Sequence, residues 1–339
     1  MRRTGYLFDK IISFENLYAA FVRAFSGTGR TAEACRFHFH LERELLQLQE
    51  ELTAGTYQPG RYHYFTIYDP KERTISVAPF RDRVVHHALV GVLEDIVEPR
   101  FIHDSYANRL GKGAHRAVKR AQVFLRQNQY YLKADVAKYF DGIDHEILLN
   151  LLGRIVKDKK VLDLTARLAA NSDQSRGLSE GKGLPIGNLT SQFFANLYLD
   201  PLDHYLKDEL RVQYYLRYMD DFVLFSDSRT WLKERLSDLR RFLETRLKLS
   251  LKPKAVLINT RLHGLSFLGY RIFPRLIRIR RENLKRMIRR MRRRMYDFRS
   301  GRSGEAELAA SLRGTIEHLS FADSLNLRRS LIEKRAGAY

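Results

Sequence analysis

The chain has 339 residues, a net charge of +21 and 44% hydrophobic residues, which excludes a disordered basic tail and predicts a folded protein with more than one subdomain. Its basic surface predicts a polyanionic partner, first of all nucleic acid. The single cysteine, Cys35, excludes an intramolecular disulfide and a cysteine-based zinc site, and it indicates a reducing compartment, which predicts the cytoplasm. The lack of a long apolar run and of a signal peptide predicts that the protein neither spans a membrane nor is secreted, and no membrane partner is expected.

The N-terminal part combines helical patterns with one predicted β-hairpin. The first helix is expected to end near Gly55, and its apolar stripe is Leu41, Leu45, Leu48 and Leu52. Residues 64–68 and 74–77 predict two strands, joined by turn residues at 69–72. The next helix is predicted from the apolar residues Val84, Val85, Leu89, Val92, Leu93 and Ile96.

The middle of the chain predicts one strand before a series of helices. The strand covers residues 130–134 and ends on Asp135. Asp144 is expected to cap a helix that carries Leu148, Leu152 and Ile155. The remaining predicted segments are a loop at 171–183 and helices at 191–206 and 232–247.

Two adjacent aspartates lie inside an apolar strand pattern. The run Tyr218-Met219-Asp220-Asp221 has aromatic and β-branched flanks, which predicts a β-hairpin with both carboxylates at its turn. Burial of two like charges is costly unless a cation binds them, and Mg²⁺ binds through carboxylate and phosphate oxygens. A solvated Asp-Asp turn is the alternative interpretation.

A third carboxylate would give this pair a definite chemistry. If the strand that ends at Asp135 lies beside the hairpin, three acids meet at one edge of a sheet. Three carboxylates can hold two Mg²⁺ ions, with Mn²⁺ as a substitute, for in-line phosphoryl transfer. One ion would activate the attacking 3′-hydroxyl, and the other would stabilise the leaving pyrophosphate.

The C-terminal part predicts a basic helix. Between Arg271 and Arg302 there are 14 lysines and arginines against two acids. An apolar stripe runs through this segment at Leu284, Met287, Ile288, Met291 and Met295. Such dense like charge repels itself, so we expect the helix to lie along a phosphate backbone; a solvated face around a core stripe is the alternative. The predicted nucleic-acid contacts are Arg286, Arg289, Arg290, Arg293 and Arg294.

Motifs in a fixed order between residues 60 and 275 resemble those of a reverse transcriptase. Residues 74–85 are similar to the fingers motif of bacterial reverse transcriptases, and residues 135–144 and 218–221 resemble the two metal motifs. Residues 251–254 and 265–270 resemble two later palm motifs. The resemblance implies an RNA-directed DNA polymerase, a nucleotidyltransferase that binds dNTPs, template RNA and the RNA/cDNA duplex.

The resemblance also implies roles for single residues around the acids. Asp135, Asp220 and Asp221 match the family's metal ligands, together with the backbone of Val136. The second acid of the pair is usually the more dispensable. Phe140 stands where the family keeps an aromatic steric gate that favours dNTPs over ribonucleotides, and an ordinary core phenylalanine is the alternative.

Basic residues are implied by the same resemblance to act on the triphosphate. Arg73 matches an arginine of the fingers that contacts the incoming triphosphate, and Lys71 is expected either to assist it or to be solvated in the turn. Lys254 resembles a catalytic lysine proposed to protonate pyrophosphate, with Lys252 as its rival.

The predicted dNTP pocket departs from the pattern of most reverse transcriptases, which carry Gln-Gly after its proline. Here Ile186 and Gly187 follow the proline, and Ser191 and Gln192 come next. With residues 193–203 and the overall size, this pattern resembles reverse transcriptases of diversity-generating retroelements, encoded by bacteria, archaea or phages. Isoleucine cannot donate the hydrogen bonds of glutamine, so we expect weaker discrimination in the pocket.

That subgroup resemblance implies a biological role. It implies error-prone copying of template adenines into cDNA that replaces a variable region of a target gene. It also implies a structured template-repeat RNA and a small, basic, ring-forming accessory variability protein as partners.

The expected fold is an α+β right-hand polymerase in which an antiparallel palm sheet carries the acids. The expected domains are an N-terminal extension with fingers at 1–128, a palm at 129–272 with a fingers insertion near 146–183, and a basic helical thumb at 273–339. Two other interpretations stay open. One is a reverse transcriptase of group II intron or retron type, and the other is a non-catalytic RNA-binding protein on the same fold.

Overall fold

The computed structural model describes residues 3–28, 31–68, 72–171 and 180–329. Its N-terminal part is a group of helices whose apolar stripes pack on one another. These helices are α1 (Leu7–Ile12), α2 (Phe14–Thr28), α3 (Ala32–Phe39), α4 (Leu41–Ala54) and α5 (Phe80–Val97). The stripe predicted for α4 is confirmed, because Leu45, Leu48 and Leu52 are buried and Gly55 ends the helix at a φ of 74°.

A β-hairpin lies between α4 and α5, as predicted. Its strands are β1 (His63–Ile67) and β2 (Arg73–Val77), which pair antiparallel with Tyr64 opposite Ser76. Residues 69–71, and with them Lys71, lie outside the described residues. The prediction for Lys71 therefore stays a prediction.

Six α-helices follow among the described residues in the middle of the chain: α6 (Ala114–Gln127), α7 (Tyr139–Gly142), α8 (His145–Gly153), α9 (Lys159–Ala170), α10 (Leu189–His204) and α11 (Arg229–Arg246). The predicted cap of α8 is confirmed, since Asp144 Oδ1 accepts a hydrogen bond from the Ile147 backbone N–H at 3.1 Å. Helix α8 ends before Ile155, so its predicted extent was too long. Helix α10 begins and ends earlier than predicted and continues as a π-helical turn at Tyr205–Glu209.

A four-stranded antiparallel sheet, called here the central sheet, has the order β4-β5-β3-β6. Its strands are β3 (Tyr130–Asp135), β4 (Tyr215–Tyr218), β5 (Asp221–Ser226) and β6 (Leu257–Thr260). Successive side chains of a strand face opposite sides of a sheet. Leu132 and Leu224 accordingly join the main core with α10 and α11, whereas Tyr131 and Phe225 join a second core with α6. Both faces are covered, and the strands are therefore apolar almost throughout.

The second core also contains a small sheet of three antiparallel strands, β7 (Leu265–Phe267), β8 (Tyr270–Ile272) and β9 (Ile277–Ile279). The predicted basic helix follows it as α12 (Arg281–Arg299), and α13 (Glu305–Ser320) packs on α12. Short 3-10 turns lie at Glu98–Arg100, Pro253–Ala255 and Arg261–His263. Across the described ranges, no helix combines the length and the apolar character that crossing a membrane requires.

Candidate active site

The central sheet brings the three predicted acids together. Asp135, the last residue of β3, is paired in register with Asp221, the first residue of β5. Asp220 lies in the turn just before β5, and its carbonyl accepts a hydrogen bond from the Val136 backbone N–H at 3.3 Å. The expected neighbourhood of the β3 end and the Asp-Asp turn is therefore confirmed, while the roles of these residues stay predictions.

The turn that carries the acids is tight and strained. Tyr218 pairs with Asp221, which leaves two residues to make the turn between β4 and β5. Met219 adopts a left-handed φ of 55°, a conformation that costs a residue with a side chain about 1 kcal/mol. The Arg217 guanidinium donates to the Met219 carbonyl at 3.2 Å and so holds the turn in this conformation.

A buried ionic network behind the turn was not predicted. Arg217 and Asp203 are both fully buried, and their closest nitrogen–oxygen distance is 2.6 Å. The Tyr215 hydroxyl donates to Asp203 at 2.6 Å, and Arg217 donates to the Asn196 side-chain oxygen at 3.1 Å. A charged residue inside an apolar strand pattern, as at Arg217, is the sequence signal that could have revealed the network. Its position makes it a support for the Asp-Asp turn.

Burial and mutual repulsion govern the protonation of the acids. Burial, and next the charge of Asp135, raises the pKa of Asp220 to about 6, against the opposing charges of Arg73 and Lys252. Burial also raises the pKa of Asp221 to about 7, and the opposing Lys133 ammonium lies 3.0 Å from its Oδ2. The site thus holds more negative charge than it can easily keep, and an added cation would relieve it.

The donor chemistry of the site fits a hard divalent cation. Asp221 Oδ1 is buried and has no hydrogen-bond partner among the described residues. In the described part of the chain, no set of three or more Asp, Glu, His and Cys side chains already stands in a geometry that could hold a metal ion. Carboxylates gathered at one sheet edge, with one oxygen unsatisfied, are nevertheless the ligand type that Mg²⁺ and Mn²⁺ use. The residues that would hold the ion are Asp135, Asp220 and Asp221.

The predicted dNTP pocket is bound to the N-terminal hairpin. The Ser76 backbone N–H of β2 donates to the Ile186 carbonyl at 2.8 Å, and the Asn188 side chain donates to the Ser76 carbonyl at 3.1 Å. Gly187 has a φ of 114°, and a Cβ there would stand 2.8 Å from Ile75 Cγ2. Only glycine allows this close approach, so the pocket segment and β2 form one unit. The exposed Arg73 begins the same strand.

Phe140 lies in α7, which follows β3, and its backbone contacts the segment that leads into the predicted pocket. It is partly buried, and its carbonyl accepts a hydrogen bond from the Leu184 backbone N–H at 2.8 Å. Its ring contacts Tyr139 with a centroid distance of 5.7 Å. The other predicted pocket residues differ in exposure: Ile186 and Gln192 are partly exposed, whereas Ser191 is buried in α10. This arrangement is compatible with Phe140 as a steric gate beside the pocket. The roles of Phe140, Ile186, Ser191 and Gln192 stay predictions.

The two candidate lysines differ in their relation to the acids. The Lys252 backbone N–H donates to the Asp135 carbonyl at 2.9 Å, and the Lys252 charge acts on Asp220. Lys254 is exposed on the 3-10 turn that follows. The structure thus ties the rival, Lys252, directly to the acids.

The predicted nucleic-acid residues lie on α12, which has no buried residue. Arg289, Arg290 and Arg293 are exposed, Arg286 donates to Asn283, and Arg294 forms an ion pair with Glu307 at 3.2 Å. The start of the helix is tied to the β7–β8 hairpin through bonds from the Arg280 backbone and the Asn283 side chain to the Gly269 carbonyl.

Known proteins are similar to this chain in sequence. The chain is 26% identical over 270 residues to Protein YkfC of Escherichia coli K12, covering 68% of this chain and 71% of that protein. It is 23% identical to the group II intron-encoded protein LtrA of Lactococcus lactis, covering 85% of this chain, and it spans 57% of the length of LtrA.

A solved structure supports the fold. Apo telomerase from Candida tropicalis superposes with a TM-score of 0.51 at 11% identity, covering 66% of this chain and 49% of that one. This similarity confirms the expected α+β right-hand polymerase fold. Residues 68–272 match the family described as reverse transcriptase (RNA-dependent DNA polymerase). The chain therefore belongs to the reverse transcriptase family.

Proposed function

We propose that this protein is an RNA-directed DNA polymerase that extends a DNA 3′ end on an RNA template. The observation that carries the proposal is the register of the central sheet, which sets Asp135 opposite Asp221 with Asp220 in the adjoining turn. Membership of the reverse transcriptase family supports the same reaction. The proposal includes the expected domains, with an N-terminal extension and fingers at 1–128, a palm at 129–272 and a thumb at 273–339. It also includes a cytoplasmic location.

The acids would hold two divalent ions, Mg²⁺ or Mn²⁺. When bound, these ions supply Lewis-acid activation of the 3′-hydroxyl and charge neutralisation at the pyrophosphate. Asp135 and Asp220 contribute their carboxylates from two adjoining strand ends, with the Val136 backbone beside them. Arg217 keeps the turn in the conformation that presents Asp220. The protein thus contributes mainly positioning and electrostatics, because no side chain has to act as a nucleophile.

The dNTP would lie between the N-terminal hairpin and the acids. Arg73, whose positive charge already acts on Asp220, would bind the triphosphate, and Lys71 or a lysine of the late palm motif would assist. Phe140 would exclude a ribose 2′-OH, and the segment from Ile186 to Gln192 would line the base-pair side. The hydrogen bonds between β2 and this segment support a pocket built from both.

The arginines of α12 would contact the template–primer duplex. An RNA-containing duplex is recognised mainly through its shape and backbone, so exposed positive charge matters more than contacts with particular bases. The surplus of positive charge in the whole chain supports this assignment.

For the biological role, we propose error-prone synthesis of cDNA in a diversity-generating retroelement, assisted by an accessory variability protein. The support is Ile186, whose side chain is partly exposed and cannot form the hydrogen bonds of a glutamine. A group II intron-type enzyme is the second candidate, favoured by the similarity to LtrA and to the nuclear intron maturase 1 of Arabidopsis thaliana, 34% identical over 95 residues.

The deciding experiment copies a defined RNA template with an annealed DNA primer, Mg²⁺ and dNTPs, and sequences the cDNA. Errors concentrated opposite template adenines, reduced by Ile186→Gln, would support the diversity-generating role. Faithful cDNA would favour the intron-type enzyme, and an unchanged error rate in Ile186→Gln would remove that residue from the explanation.

Catalysis itself is tested with Asp220→Ala. The variant should lose cDNA synthesis while it still binds RNA, because only the metal site is changed. Asp163→Ala, which removes an exposed aspartate of α9, is the matched control and should retain synthesis. If Asp220→Ala keeps its biological activity together with RNA binding, the non-catalytic RNA-binding interpretation is correct.

A further inference from the structure

Lys133 is a charged residue of the central sheet that the proposed reaction does not use. It lies on β3, on the same face as Asp135 and diagonally across from Asp221 on β5. Its ammonium stands 3.0 Å from Asp221 Oδ2 and donates to the Ser266 carbonyl of the small sheet, also at 3.0 Å. The side chains of Lys133 and Asp221 are 20% and 19% exposed, so the pair is largely shielded from water.

The ammonium is held in place by more than Asp221. Strand β3 is paired on both edges, with β5 and with β6, which fixes the backbone of Lys133. The Ser266 carbonyl binds the head group from the small sheet, and the ammonium lies 5.8 Å from the centre of the Phe267 ring. Lys133 can therefore remain where it is when the Asp221 carboxylate binds another cation.

We propose that Lys133 is a positioning residue that competes with the divalent ion for Asp221. The inference rests on the proposed function, because it takes Asp221 as one of the metal-binding carboxylates. One oxygen of Asp221 faces the ammonium, and the other is buried and has no hydrogen-bond partner in the described part of the chain. A divalent ion at the acids must share this carboxylate with a fixed positive charge. Lys133 thereby raises the metal concentration that the site requires and makes Asp221 the weakest of the three ligands.

The test measures Mn²⁺ binding to the full chain by the electron paramagnetic resonance signal of free Mn²⁺, independently of synthesis. Lys133→Met should lower the dissociation constant roughly three- to tenfold, since a nearby positive charge is removed. Lys133→Arg keeps the charge and should bind Mn²⁺ like the unchanged protein. Lys248→Met is the matched control, because Lys248 pairs with Asp144 at 2.8 Å outside the acids. An equal or higher dissociation constant in Lys133→Met would overturn the proposal.

A double variant shows whether the effect passes through Asp221. Asp221→Asn should weaken Mn²⁺ binding. When Lys133→Met is added to Asp221→Asn, the affinity for Mn²⁺ should not increase. If Lys133→Met still increases the affinity for Mn²⁺ when the Asp221 carboxylate is absent, the proposal is also overturned. The increase would then come from the loss of a positive charge near the site and not from competition for Asp221. cDNA synthesis is measured in parallel. If Mn²⁺ binding changes as expected but the unchanged protein makes no cDNA, the proposed function fails while the competition for Asp221 stands.

Discussion

At the scale of single residues, the site depends on buried polar contacts that lie behind the acids. Arg217 reaches both the Asp203 carboxylate and the Met219 carbonyl, so one guanidinium balances a buried charge and holds the strained turn. Gly187 makes an equally local contribution, because its missing side chain lets the pocket segment bind β2. Arg217 thus supports the turn that carries Asp220, and Gly187 joins the pocket segment to β2.

Arg217→Met should destabilise the protein by about 3–5 kcal/mol, because Asp203 would remain as a buried charge without its partner. Urea unfolding measures this loss of unfolding free energy. Arg241→Met is the control, since Arg241 is 69% exposed in its pair with Asp238 and should cost at most about 1 kcal/mol. A similar cost for the two variants would contradict the role of the buried pair.

Gly187→Ala should raise the KM for dNTPs and lower the unfolding free energy by about 1–2 kcal/mol. The new Cβ would meet Ile75 Cγ2 and the Ser76 carbonyl, which pushes the pocket segment away from β2. Gly181→Ala is the control, because Gly181 also has a positive φ but no described atom lies within 4 Å of its Cβ position. KM is measured by steady-state kinetics. An equal rise of KM in both variants would contradict a role for the close approach of Gly187 to β2.

At the scale of elements, each strand or helix supplies one part of the site. The β4–β5 hairpin carries two acids, β3 carries the third, and the N-terminal hairpin carries Arg73 and binds the pocket segment. Helix α12 is different, because its apolar stripe is only half-buried and most of its exposed residues are arginines. Because packing of an amphipathic face supplies most of the stability of a helix in a protein, we expect α12 to be one of the less stable helices.

Replacement of Arg289 and Arg293 by glutamine should weaken duplex binding uniformly across sequences. Each phosphate contact that is lost should reduce the slope of log affinity against log salt by roughly 0.7–0.9. Fluorescence anisotropy over a range of KCl concentrations measures the slope. Arg240→Gln on α11 is the control for loss of an exposed arginine outside α12, and equal slopes for all variants would contradict a duplex-binding α12.

At the scale of the whole molecule, the N-terminal helices, the central sheet and α8 to α11 share one continuous core. Strands β3 and β5, which carry Asp135 and Asp221, contribute residues both to this core and to the second core around the small sheet. Helices α12 and α13 contribute little to either, since Leu319 is the only fully buried residue of α13 and α12 has none. The molecule therefore combines a densely packed part that carries the acids with a basic helix, α12, that is weakly packed.

Hydrogen exchange should show this difference directly. Amides of α12 and α13 should exchange faster than those of α5, because few apolar contacts oppose their local opening. Addition of a template–primer duplex should slow exchange in α12 and leave α5 unchanged. Exchange measured by mass spectrometry that is equally slow in all three helices would contradict the weak packing.

Several features could be predicted from the sequence because they depend on local patterns. The Asp-Asp hairpin, the β3 strand and the cap at Asp144 follow from alternation, turn residues and capping chemistry. The Arg217–Asp203 pair and the contact of Lys133 with Asp221 could not be predicted. The sequence shows that Arg217 and Lys133 are charged residues inside apolar strands, but it does not show which residues pair with them, because the fold brings Asp203 and Asp221 to them.

The sequence by itself determined the type of chemistry: carboxylates at strand ends, a basic C-terminal helix and ordered motifs of the reverse transcriptase family. Only the tertiary structure decided which groups share a face of the central sheet. It sets Asp135 opposite Asp221 and places the Lys133 ammonium against one carboxylate oxygen of Asp221. The physical reason is that residue pattern sets the local conformation of an element. Burial, charge pairing and competition for a ligand depend instead on the register between strands, which packing of the whole chain establishes.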